Sequence, residues 1–138
     1  MKYIYIICPF VSLILCQLIK MLIEIFKNKK IDLTRFTNGD GGMPSSHTTF
    51  ISSITMLIGF KLGFTSPIFA FAFIVSCIIS YDSMGVRLES EKQAKAIKEL
   101  GKKNDLEFQL KEHLGHKIQE VIVGYIFGTF MAYIFSLV

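Results

Sequence analysis

The chain of 138 residues has no tryptophan, three cysteines and three prolines, and each scarcity excludes something. Without Trp, any aromatic belt at a membrane interface falls to the five tyrosines, and Tyr3, Tyr5, Tyr81, Tyr125 and Tyr133 mostly lie near the ends of apolar runs. Cys8, Cys16 and Cys77 all sit inside apolar runs without metal-ligand spacing. They imply no disulfide framework and read as small core or lipid-facing residues. No His-x-x-x-His or paired-Cys pattern, internal repeat or low-complexity tract is present. Leu15 is too large to precede a lipidated Cys16, and no small-residue cleavage site follows the first apolar run, which therefore reads as a retained helix.

What the chain does hold is apolar surface: 51% hydrophobic residues and a mean hydropathy of +0.49 exceed the usual share of a soluble domain. A helix needs roughly 20 apolar residues to cross ~30 Å of hydrocarbon, and four stretches compete for that role, at about 3–26, 48–64, 67–86 and 118–138. The first carries Pro9 and the i,i+4 pair Lys20 and Glu24, suited to pairing on one face or to snorkelling. The second is short and holds Lys61 near its end. The third opens on Pro67 at a helix start. In the fourth, Gly124 and Gly128 have the four-residue spacing that lets helix backbones approach closely. The expected fold is all-α: an integral membrane four-helix bundle, one domain over residues 1–138, with a partly helical, basic loop between the third and fourth spans.

Only "GFTS" separates the second and third spans, which predicts a tight hairpin. The other connections, Lys27 to His47 with four Lys or Arg and Arg87 to Lys117 with eight, then lie together on the opposite side, so twelve of the fifteen basic residues share one side. The positive-inside tendency makes that side cytoplasmic in a multi-pass plasma-membrane protein, although Lys2 votes the other way. The net charge of +4 is explained by this flanking pattern, and nucleic acid is set aside as a partner. In the longer loop, Ala94, Ile97 and Leu100 recur at helical spacing, Gly101 reads as a stop, and Asn104 or Asp105 as the next cap. Leu106, Phe108, Leu110 and Leu114 predict a second amphipathic piece. The loop's Lys and Glu read as a solvated helix face near lipid headgroups.

Three polar clusters stand at helix ends: "GDGGMPSSH" entering the second span, "YDSMGVR" leaving the third and "HLGHKIQE" entering the fourth. The topology puts all three on one face. A helix N-terminus offers unpaired N–H groups and a positive dipole end, and Gly39, Gly41 and Gly42 allow close backbone approach to an anion. Ser45 or Ser46 would cap the helix, and Arg87 adds a forked cation suited to phosphate. Each cluster also has a plainer reading. Pro-Ser-Ser is a common helix start, Arg87 could set topology, His113 and His116 could be interfacial, and Asp82 could cap or pair with a lysine. It is their coincidence at membrane depth that points to a small oxyanion as ligand.

"PSSH" and "GHKIQEVIVG" resemble two signature segments of the phosphatidic-acid phosphatase type 2 superfamily. Together, "GGMPSSH", "YDSMGVR", "KQA" and "LGHKIQEVIVG" are similar to its small divergent membrane branch, over about Ile31 to Gly128. The resemblance implies a phosphohistidine route to hydrolysis of a phosphomonoester or pyrophosphate, a lipid above all. His116 would be the nucleophile, Glu120 would orient it, and His47 would act as general acid and base. Ser45, Ser46, Gly42 and Arg87 would hold the phosphoryl oxygens, with Asp82, Lys111 and Lys117 as further candidates. No metal or other cofactor is implied, and vanadate would enter as an inhibitor or, more remotely, as a prosthetic group.

The chain departs from the superfamily pattern in places. Ser46 stands where the motif has Gly, Glu120 where it has Asp, and Arg87 lies far upstream of His116. The early Lys and Arg-Pro segment has only Lys30 and Arg35 as substitutes. Four helices are fewer than the superfamily's usual core, which leaves a minimal monomer or a homodimer. Two rivals follow: a non-catalytic membrane protein that binds phosphate or a headgroup, and a metal site built from His47, His113, His116, Asp40 and Asp82.

Overall fold

The computed structural model describes residues 3–28, 42–104, 106–108, 110 and 115–138. Regular structure among them is helical throughout: α1 (Ile4–Asn28), α2 (Ser46–Leu62), α3 (Pro67–Met84), α4 (Val86–Lys103) and α5 (Ile118–Ser136). α1, α2, α3 and α5 make an all-α membrane bundle, and α4 is the helical part of the basic loop. Three stretches are long and apolar enough to cross a membrane: Ile4–Phe26, Pro67–Lys103 and Ile118–Ser136.

The bundle is arranged inside-out relative to a soluble one. Large apolar side chains such as Phe10, Ile14, Leu18, Phe71, Ile74, Ile78, Ile122, Ile126 and Phe130 point outward, where hydrocarbon is as good a solvent for them as a core. Small and hydroxyl-bearing residues fill the interior. α2 is its axis: Ser46, Thr48, Thr49, Ser52, Ser53, Thr55 and Leu57 are all buried. At 17 residues it is about 25 Å long, less than the bilayer core, and it is not among the three stretches that qualify as spans. The expected second span is thus a helix shifted to 46–62 and enclosed by its neighbours.

α5 runs parallel to α2. Ser45 N–H donates to Glu120 O at 3.0 Å near one end, and Phe60 meets Tyr133 near the other, ring centroids 6.1 Å apart. Gly124 and Gly128 make this approach possible. A Cβ on Gly124 would lie 2.9 Å from Ser45 O, and one on Gly128 2.7 Å from Thr49 O. Close contact of this kind, rather than hydrophobic exclusion, holds helices together in lipid. α1 and α3 run antiparallel to α2: Ile4 and Cys8 pack with Leu57 and Ala132, whereas Lys20 reaches Ser46. Cys8 and Cys16 are core residues and Cys77 faces outward.

Hydroxyls in such an interior need partners. Ser52 Oγ and Thr49 Oγ1 donate to Gly124 O at 3.4 and 3.3 Å, Thr55 Oγ1 to Ala72 O at 3.3 Å, and Ser76 Oγ lies 2.6 Å from Tyr125 Oη. Among the described residues no buried side-chain N or O lacks a hydrogen-bond partner, as a low-dielectric interior requires.

Two expectations for the basic loop are corrected. Gly101 does not stop α4, which runs on to Lys103. Asn104 ends it, its side-chain amide donating to Leu100 O at 2.9 Å. Residues 106–108 and 110 form no second helix: Leu106 N–H turns back to Gly101 O at 2.9 Å, and the Phe108 ring lies where a Gly101 side chain would begin. Leu106 and Phe108 thus belong to a fold-back over the end of α4. Asp105 and Leu114 lie outside the described residues. The "GFTS" hairpin is present, with Ser66 capping α3 through Phe69 N–H at 3.3 Å.

Candidate functional site

The described residues of the three polar clusters meet at one end of the bundle because the helices that carry them are locked together there. Ser45 is the N-cap of α2: its Oγ accepts from Thr48 N–H at 3.4 Å and from Thr48 Oγ1 at 3.0 Å. This leaves His47 in the first turn, where N–H groups have no intrahelical partner. Gly42, ahead of the cap, has φ +121° with open space around it, a conformation that L side chains rarely adopt. Lys117 is the N-cap of α5, and His116 just before it is tied to the end of α3 by its N–H, which donates to Ser83 O at 3.0 Å.

His47 and His116 face each other with ring centroids 6.3 Å apart. His116 is only 3% exposed, while His47 is open to solvent. Glu120, in the first turn of α5, does two things with one oxygen: Oε2 lies 2.9 Å from His116 Nδ1 and accepts from Lys117 N–H at 3.3 Å. The second contact is the glutamate half of a capping box. The length of the Glu120 side chain lets one carboxylate oxygen reach both groups. An ionised carboxylate only accepts, so His116 carries its proton on Nδ1 and presents the Nε2 lone pair on the other side of the ring.

Two cations border the pair. Arg87, at the start of α4, bonds through Nε to Asp82 Oδ2 at 2.8 Å across the break at Gly85, both side chains being over 40% exposed at 44% and 41%. Lys20 of α1 donates from Nζ to Ser46 Oγ at 2.8 Å. Their reach shows in the histidines, both outside the three spanning stretches. Partial desolvation holds His47 below its ordinary value, followed by the charges of Arg87, His116 and Lys20, with Asp82 opposing them. Burial likewise holds His116 low, and the hydrogen bond and charge of Glu120 counter it in part. Both rings are therefore neutral near pH 7.

The structure thus brings together His47, His116, Glu120, Ser45, Ser46, Asp82 and Arg87. Gly42 stands next to them in sequence, ahead of the cap, and Lys117 is exposed at the α5 cap. Asp82 pairs with arginine rather than with a lysine. Lys111, Lys30, Arg35, His113 and Asp40 lie outside the described residues. Among the described ones no three His, Cys, Asp or Glu are placed to hold a metal ion. Lys20 is the residue that sequence reasoning missed. Its spacing from Glu24 suggested a local pair, yet an ammonium in the fifth turn of an apolar helix was itself the signal.

Comparison with known proteins bears on this arrangement. The Divergent PAP2 family matches residues 1–131. An uncharacterized membrane protein of Bacillus subtilis (strain 168), YuiD, is 28% identical over 141 residues, covering 91% of this chain and 89% of its own. No solved structure matches.

Proposed function

The chain belongs to the Divergent PAP2 family, and on that premise we propose that it is a metal-independent phosphatase acting on a phosphomonoester or pyrophosphate, of a lipid above all. The observation that carries the reading is the His116–Glu120 contact of 2.9 Å facing His47: a buried, neutral, oriented imidazole opposite a second imidazole that solvent can reach. Phosphoryl transfer asks a protein chiefly to position three parts: a nucleophile, a proton donor in line, and positive groups around the equatorial oxygens.

In the proposed reaction the Nε2 lone pair of His116 forms a bond to phosphorus as the bond to the leaving oxygen breaks. His47, protonated once the anion is bound, gives its proton to that oxygen. Glu120 stabilises the cationic phosphohistidine through Nδ1–H. In the second half His47 takes a proton from water, whose oxygen bonds to phosphorus while the P–N bond breaks, restoring His116 and releasing phosphate. Lys20, the outer edge of the Arg87 guanidinium, Ser46 and the first N–H groups of α2 surround the phosphoryl oxygens. Ser45 shapes this site as its cap. A site at the ends of apolar α1, α3 and α5 supports a lipid substrate, and the positive-inside pattern supports a cytoplasmic face, in our reading that of the plasma membrane.

Phosphate release from phosphatidic acid in mixed micelles and from p-nitrophenyl phosphate, measured for the wild type, His116→Ala and His47→Ala, tests the reading. Turnover abolished in both variants, with stoichiometric labelling of His116 in the wild type, supports it. Phosphate binding without turnover would instead make this a non-catalytic headgroup-binding protein.

A further inference from the structure

The proposed chemistry uses the ring of His116, but the backbone that carries the ring is held by a helix with another surface to serve. Three successive amides meet acceptors from three elements. Gly115 N–H donates to Glu91 Oε2 of α4 at 3.2 Å, His116 N–H to Ser83 O of α3 at 3.0 Å, and Lys117 N–H to Glu120 Oε2 of α5 at 3.3 Å. Gly115 also lies flat on α4: a Cβ there would come within 2.5 Å of Leu88 Cα. Glu91 is 14% exposed, unusually enclosed for the charged helix it belongs to, and its Oε1 accepts from Lys95 Nζ at 2.6 Å.

We propose that Glu91 is a positioning residue for His116, acting through the Gly115 amide. The amide it holds is one residue from the imidazole, so the bond sets the depth and angle at which the ring enters the bundle. Leu88 supplies the wall against which Gly115 rests. Losing the acceptor frees one of the three restraints and lets the segment pivot about the other two. Displacements of the order of 1 Å at a reacting group cost up to about a hundredfold in rate. What Glu91 contributes is an acceptor at the right reach, so glutamine, whose Oε1 also accepts, retains it. The ion pair with Lys95 is partly exposed and contributes little.

The kinetic arm rests on the reading of His116 as nucleophile, and a spectroscopic arm keeps the two separable. With p-nitrophenyl phosphate in detergent micelles, Glu91→Ala lowers kcat by about tenfold with KM changed by less than about twofold, while Glu91→Gln stays near wild type. The His116 Nδ1–H resonance in a ring-15N-labelled sample shifts in Glu91→Ala and holds in Glu91→Gln. Should the alanine variant fail to fold, Glu91→Asp, one methylene short of Gly115, gives the same readouts. Equal losses in the alanine and glutamine variants would overturn the proposal in favour of a field effect of the charge. An unmoved Nδ1–H resonance in Glu91→Ala would overturn it outright. If the wild type releases no phosphate but the resonance moves in alanine and not in glutamine, the positioning role stands and the catalytic reading fails.

Discussion

Gly128→Ala is the smallest change that tests whether close approach of α2 and α5 holds the bundle together. The added Cβ meets Ser52 Oγ, Thr49 O at 2.7 Å and Ser53 N at 3.0 Å, against an ordinary contact of 3.4–4 Å. The serine hydroxyl can rotate away. The carbonyl and amide belong to the α2 backbone and cannot, so the helices must part by several tenths of an ångström. Overpacking of this kind costs about 1–3 kcal/mol. Separation also stretches the bonds from Thr49 and Ser52 to Gly124 O, already 3.3 and 3.4 Å, each contributing roughly 0.6 kcal/mol in a membrane bundle. The expected loss is about 2–4 kcal/mol, a drop in Tm of roughly 5–12 °C for a chain of this size. Without Trp the assay needs another probe, and buried Cys8 and Cys16 supply one: a thiol-reactive dye reports their exposure on heating in detergent, over a constant signal from Cys77. Gly124→Ala, whose nearest contact is 2.9 Å, shows the milder effect. A Gly128→Ala protein within about 0.5 kcal/mol of wild type would refute the reasoning.

Further outcomes concern pH, oxyanion binding and topology. Because His116 must be neutral to attack and His47 protonated to donate, and both sit below the ordinary 6.5, kcat/KM peaks on the acid side of pH 6.5, and a maximum above about pH 7 contradicts the assignment. The same depressed values mean that the unfolded chain binds more protons between the folded values and 6.5, so thermal stability is fully present above that window and falls as pH drops through it. Orthovanadate inhibits competitively and a chelator has no effect. Lys20→Met, which removes a positive charge, and Arg87→Lys, in which a point charge replaces the guanidinium fork, each weaken vanadate inhibition by about tenfold, and an unchanged Arg87→Lys protein shows that another cation holds the oxyanion. Single cysteines at positions 38 and 104 label from the same side of the membrane, the cytoplasmic one. Labelling from opposite sides sinks the shared-face arrangement, and joint labelling from outside inverts the orientation.

The four helices of the bundle, the hairpin at 63–66 and the close approach at Gly124 and Gly128 were legible in the sequence because each is a local property: run length, turn chemistry and residue size act within a few positions. The cap at Ser45 and the i,i+4 relation of His116 to Glu120 belong to the same kind. Where local spacing was read too far, it failed. Leu106 and Leu110 have helical spacing, but Leu106 N–H turns back to Gly101 O and the Phe108 ring lies beside Gly101, in place of a short helix whose own hydrogen bonds would contribute little. α2 shows the complementary case: its hydroxyl-rich sequence is poor for facing lipid, and although Ser53 and Ser52 bond within the helix, only the neighbouring helices supply the Gly124 and Ala72 carbonyls that Thr49, Ser52 and Thr55 also reach. What tertiary structure alone decided is which charges share the site. Lys20 and Ser46, 26 residues apart, and Glu91 and Gly115, 24 apart, carry no mutual signal along the chain. A hydrogen bond at such separation depends on the crossing of two helices, and that crossing is set by packing summed over many residues.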